Sequence, residues 1–254
     1  MSKRKAAGIG LLPIAAVVRE VRRGAADRRP LAVAGARELV PLLARELRAG
    51  GDPVAVVEGS AAGAAALVWL GEPDETVLRA AARAKEPIVA VEDTGAPPPP
   101  YVLAGDVVRI PRGSGFPLEE IATAVAHRLG DGGTALAARL PALRPAVCRQ
   151  LVPAASRRNA AIAAAVFIPG VDLPVLTLNQ VRLVLRLAAA HGRELDAAAV
   201  AELLGGVGAG FGFRALAREA LDLVPVAGWA VKGAVAYTGT RAIGEAALRR
   251  LAYL

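Results

Sequence analysis

Few side chains in this sequence can do chemistry, and their spacing does not bring them together. His127 and His191 are the only histidines and Cys148 is the single cysteine, and no two carboxylates are placed as an acid and base pair. Groups this scattered assemble neither a metal cluster nor a nucleophile with its base. The stretch LAVAGARELVPLL, residues 31–43, has the outline of a phosphate-binding element: an apolar strand, Gly35, then an amphipathic helix. Aligned on Gly35, the P-loop pattern GxxxxGK[ST] requires glycine at Val40, lysine at Pro41 and a hydroxyl at Leu42. All three are missing, and with them the cation on the phosphates and the magnesium ligand. Pro41 also removes a backbone amide. The glycine and helix start that remain can attract an anion weakly, so Gly35 and Ala36 form the candidate anion site. No catalytic residue, cofactor or metal is expected, and the chain reads as a non-enzyme.

Other polar residues fit ordinary structural roles as well as functional ones. Asn179, Arg182, Arg186 and Arg193 share one side of a helix, a cationic stripe that suits a solvated face or a lipid or partner contact. Lys232 stands among apolar residues, where a snorkelling side chain is the simplest reading. Arg218 and Asp222, like Glu245 and Arg249, are four apart, as surface ion pairs are. His191 beside Gly192 suits a helix C-terminus. GGVGAGFGF is no dinucleotide fingerprint: it follows a helix, and its glycines stand at 206, 208, 210 and 212. Pairs four apart instead favour close helix packing, as do Gly233, Thr240, Gly244 and Ala247 further on.

The elements that must position these groups fall into two parts. Over residues 30–132 short apolar runs alternate with helical patterns, the signature of a doubly wound parallel sheet. Strands are expected at 31–34, 54–57, 66–70, 88–91 and 107–110, each apolar throughout, as strands covered on both faces are. Helices are expected at 36–48, 75–84 and 117–129, and the tetraproline 97–100 as an extended connection. Residues 133–254 read as an all-helical, hydrophobic domain, with helices at 134–151, 154–168, 175–191, 197–204, 214–223 and 226–251. Residues 1–29 form a basic amphipathic arm.

Composition narrows the function. The 254 residues are 54% hydrophobic and carry a formal charge of +8. Residues 1–29 alone hold eight Lys or Arg against Glu20 and Asp27, which suits an anionic surface, lipid or nucleic acid. A nucleic-acid partner is disfavoured because stacking aromatics are scarce. The single cysteine fits a reducing compartment. The KRK start and apolar run 6–18 imitate a signal peptide, but Arg19 and Glu20 follow at once. The run also reads as a helix with Leu11, Ile14, Val18 and Val21 on one face. Residues 159–181 approach the ~20 needed for a membrane span. Asp172 in PGVDLP at their middle disfavours a simple crossing and leaves a shallow hairpin or a buried helix pair.

Two resemblances sharpen this reading. The order of elements over 30–132 resembles an Era-like small GTPase domain, with EPIVAVEDTG placed where such a domain carries its guanine-reading NKxD. The four aligned positions are Glu92, Asp93, Thr94 and Gly95, so the base-reading carboxylate is gone. Residues 154–248 are similar to the bacterial family of unknown function DUF 697, related to YcjF-type inner-membrane proteins. The motifs are the IPG-x-D-x-P link, LNQVRLVLRLA, the ARE…VP-x-x-GW-x-VK segment and AYTGT-x-x-x-G. The resemblance implies a helical region that follows a GTPase domain, in some members a membrane protein, and carries no established activity. The expectation is a non-catalytic interaction or scaffold protein on the cytoplasmic side of a membrane, held at its surface or by an embedded hairpin, with an unknown protein partner or self-association. Asp172, Asn179, Arg182, Arg186, Arg218 and Lys232 are its candidate contact residues. The alternative is a soluble cytoplasmic regulator that binds a nucleotide or other anion weakly at Gly35.

Overall fold

The computed structural model describes residues 11–59, 61–111, 113–165, 173–208 and 228–252. The chain forms two compact units, one of residues 24–151 with 190–193, the other of residues 1–23, 152–189 and 194–254.

The first unit is built on five parallel strands, β1 (Leu31–Gly35), β2 (Val56–Glu58), β3 (Ala66–Leu70), β4 (Ile88–Asp93) and β5 (Val107–Ile110), in the order β2-β1-β3-β4-β5. Its helices are α2 (Val40–Arg48), α3 (Glu75–Arg83), α4 (Leu118–Leu129) and α5 (Gly133–Arg139). The chain leaves β1 toward β2 in one direction and β3 toward β4 in the other. That reversal lies at the carboxyl ends of β1 and β3, where open α/β sheets bind ligands. Both faces are covered: Leu78 and Ala81 of α3 pack with Ala32, Ala34, Leu67, Trp69 and Ile88, and residues of opposite parity, Leu31, Val33, Val68, Val89 and Val91, are equally buried.

Most strand boundaries fall where the apolar runs place them, and the departures have local causes. α2 starts at Val40 rather than at residue 36, because the Ala36 amide donates to Leu70 O on β3 and Pro41 suits only a first helical turn. β2 starts at Val56 because Asp52 caps a 3-10 turn over Pro53–Ala55, its carboxylate accepting from the Val54 amide. The helix expected over 134–151 is interrupted. α5 ends at Arg139, Leu140 is extended before Pro141, and α6 (Arg144–Ala165) then runs through Pro153 without a break. The carbonyl deprived by Pro153 belongs to Arg149, an exposed residue. The sheet unit therefore continues past the composition change near residue 132 to Leu151. Arg139 helps to bind α5 into it: Nε donates to Asp52 Oδ2 at 3.0 Å and Nη1 to Arg28 O at 2.9 Å. That hydrogen bond, with the Val54 amide, holds the Asp52 carboxyl below its ordinary value.

The second unit contains α1 (Leu11–Ala25) up to Arg23, the remainder of α6, α7 (Leu173–Ala190) up to Ala189, α8 (Ala197–Gly208) and α9 (Gly228–Ala252). α9 turns Gly233, Thr240, Gly244, Ala247 and Leu251 inward, a spacing of seven, four, three and four that keeps one face on its neighbours. A Cβ on Gly244 would lie 2.8 Å from Val152 Cγ1, and one on Gly233 3.3 Å from Ala160 O, so the backbones approach as closely as the small residues suggest. Of the apolar face expected for α1, Val21 is buried while Ile14 and Val18 are half-buried, and Val17, outside that face, is buried as well. α8 passes the expected end at Leu204. Residues 169–172 of the PGVDLP link, the helix expected at 214–223, and Gly210 and Gly212 lie outside the described residues, while Leu173 and Pro174 of the link open α7. No helix among the described residues is long and apolar enough to cross a membrane.

Candidate functional site

The switch point of the sheet is closed by backbone. Ala36 N donates to Leu70 O at 2.9 Å, and Leu39 N and Val40 N both donate to Ala36 O, at 3.0 and 3.1 Å. Three of the amides that a phosphate would use at this turn therefore already have partners. Leu39 and Leu42 stand exposed at the start of α2, where a nucleotide site would carry polar donors. Among the described residues, the loops at this end of the sheet supply Glu38, Glu72, Asp74 and Asp93 against Arg37, charges that oppose a polyphosphate.

Glu92, at the end of β4, is the one acid of this rim buried from solvent. Its Oε2 accepts from Arg109 Nη1 of β5 at 3.1 Å, whereas Oε1 is buried without a partner. Burial pushes the Glu92 carboxyl above the usual range, and Arg109 opposes the shift. Its net contribution to stability is present below the ordinary glutamate range and is lost as pH rises through the raised value. Arg109 Nη1 also donates to Ala96 O at 2.7 Å, so the pair anchors the loop that carries the tetraproline. That loop forms neither helix nor strand, with turns at 94–95 and 100–101, and Tyr101 lies under the Arg79 guanidinium.

In the helical unit a polar network crosses the apolar interior. Asn159 and Thr240 are fully buried, and Gln180 nearly so. Asn159 Nδ2 donates to Thr240 Oγ1 at 2.9 Å and to Leu176 O at 3.3 Å, and Gln180 Nε2 donates to Thr240 Oγ1 at 3.1 Å. Asn179 Nδ2 donates to Asn159 Oδ1 at 2.9 Å, and Arg182 Nη1 to Asn179 Oδ1 at 2.7 Å. The guanidinium of Arg182 then grips Glu20 of α1, with Nη2 at 2.8 Å from Oε2, and Arg186 joins at 3.3 Å. The expected cationic stripe is thus partly an internal ion-pair cluster: Asn179, Arg182 and Arg186 come together, and Glu20, Asn159, Gln180 and Thr240 complete them. The signal for these last three is a lone polar residue on an apolar helix face.

No family model, no curated protein and no solved structure matches the chain.

The remaining candidates stay apart. Asp172 and Arg218 lie outside the described residues, and Lys232 is half-buried on α9. Cys148 is buried, and burial pushes its thiol up to about 11, which leaves it protonated at neutral pH. His127 Nδ1 lies 3.6 Å from the buried Asp106 and Arg128 Nε 3.3 Å from it, at the amino end of β5 rather than at the ligand edge. Glu245 pairs with Arg241 at 2.7 Å, one turn before the expected Arg249. Among the described residues no three acid, His or Cys side chains are grouped to hold a metal.

Proposed function

We propose that this chain is a non-catalytic protein that docks on an anionic membrane surface through its helical unit, and that its sheet unit is a GTPase-like domain without nucleotide turnover, kept as a platform for a protein partner or a second copy. The surface assignment is carried by the distribution of charge. The sheet unit holds fifteen Lys or Arg and fifteen Asp or Glu, while the helical unit holds sixteen and eight, so the whole excess of +8 lies on the helical unit. Each Lys or Arg brought near an anionic leaflet contributes about 1 kcal/mol, and a few engaged together suffice for reversible attachment. The motifs of residues 154–248 that resemble the DUF 697 region point to the same placement. The non-catalytic half rests on the closed turn at Ala36 and the acidic rim beside it.

Flotation of the purified chain with vesicles tests the reading. Vesicles rich in phosphatidylglycerol should carry the protein at low salt, and phosphatidylcholine vesicles should not. Raising salt should release it, because the screening length falls to about 10 Å at 0.1 M and about 3 Å at 1 M. Equal recovery with both lipids, or none with either, would end the proposal.

A further inference from the structure

The two arginines of α7 are arranged as an anion receptor that already holds an anion. Arg182 presents Nε at 2.9 and 3.2 Å and Nη2 at 2.8 Å to the Glu20 carboxylate, the forked geometry in which guanidinium binds planar oxyanions. Arg186 adds Nη2 at 3.3 Å from Oε1 of the same carboxylate. The fork does not depend on Glu20 for its aim. Its third nitrogen is fixed by Asn179, which is fixed by the fully buried Asn159, which is fixed in turn by Thr240 of α9. The cations form the inner wall, with side chains 22% and 17% exposed, while the Glu20 side chain is 47% exposed and stands on the solvent side. α1 has other anchors: Val17 and Val21 are buried, and Arg22 Nε donates to Leu195 O of the same unit at 2.7 Å. Turning the Glu20 side chain outward would uncover the fork with the helix still in place.

We infer that Arg182 and Arg186 form a binding site for a phosphomonoester, and that Glu20 occupies it in cis until a phosphate displaces it. A phosphate offers three terminal oxygens and up to two charges, so it can serve both guanidiniums at once where one carboxylate is shared between them. Against the tether of Glu20, that extra charge and acceptor capacity decide the exchange. The inference rests on the proposed membrane docking only for the source of the phosphate, a lipid headgroup; a soluble phosphate ester would satisfy the same chemistry.

Wild-type chain, Glu20→Gln, Arg186→Gln and the double variant are compared by flotation with phosphatidic acid vesicles and by calorimetry with glycerol phosphate. Removing one negative charge at the site should raise affinity for phosphatidic acid vesicles about fivefold, the worth of one charge at such a surface. Arg186→Gln should lower it by a similar factor and cancel the gain in the double variant. Arg186 meets the site through Glu20 from its own position on α7, so its replacement tests the site even if Glu20→Gln loosens α1. A gain with glycerol phosphate but no vesicle binding would establish the site and refute the membrane reading. Wild-type vesicle binding unaffected by any variant would refute the site and leave the membrane reading intact. A gain by Glu20→Gln on phosphatidylcholine as well would refute it too, since uncovered apolar surface would then explain the effect.

Discussion

Gly35→Ala is expected to cost more than about 4 kcal/mol and to leave much of the sheet unit unfolded, because two separate penalties meet at one atom. The glycine has φ +116°, outside the range that a side chain tolerates. Its absent Cβ would fall 2.1 Å from Leu70 O and 2.7 Å from Leu70 N, both backbone atoms of a central strand. Neither can move without breaking the β1–β3 ladder in which Gly35 faces Leu70, or the bond from the Ala36 amide to Leu70 O. Gly63→Ala is the control: its φ is +74° but nothing lies within 4 Å of the new methyl. There only the backbone preference is lost, about 1 kcal/mol. Urea denaturation of the two variants should separate them widely. Similar midpoints would mean that the β1 turn is not packed against β3 as described.

Asn159→Ala should cost about 3 kcal/mol, the larger part from what it leaves behind. The side chain is fully buried and links α6, α7 and α9 through Leu176 O, Asn179 and Thr240. Its loss strands the Asn179 amide, an unsatisfied group worth about 1–3 kcal/mol, leaves Thr240 Oγ1 accepting from Gln180 alone, and opens a small void. A double-mutant cycle with Thr240→Val isolates the shared bond. Coupling of about 1 kcal/mol or more is expected, and additivity within about 0.5 kcal/mol would show that the two side chains act independently. The same substitution frees the Arg182 fork from its support, so it should also weaken phosphate binding at that site.

The parallel sheet was legible because its strands are short apolar runs closed by Gly, Pro or acidic residues. β3 and β5 begin and end at the residues expected, and β1 and β4 run on only briefly past theirs. Proline was a less reliable marker. Pro141 follows the break after α5, whereas Pro153 lies within α6, and composition does not tell these apart because the difference lies in which carbonyl is deprived and whether its residue is exposed. The limit of α2 was misread for a tertiary reason, the bond from Ala36 to a strand more than thirty residues away.

The site was legible in its cations but not in its counter-ion. Asn179, Arg182 and Arg186 share a helix face and announce themselves by spacing. Glu20 is 162 positions from Arg182, and Thr240 is 81 from Asn159, so only the folded helical unit brings them into contact. Periodicity along one helix records which side a residue takes. It carries no information on what another helix places opposite.

Titration of the full chain with magnesium GTP most directly tests the claim that this sheet has lost triphosphate chemistry. With the Ala36, Leu39 and Val40 amides engaged and no lysine at position 41, the expected result is no saturable heat, no change in melting temperature and no phosphate release. Saturable binding with magnesium-dependent release of phosphate, lost when residues 35–40 are substituted, would contradict the account.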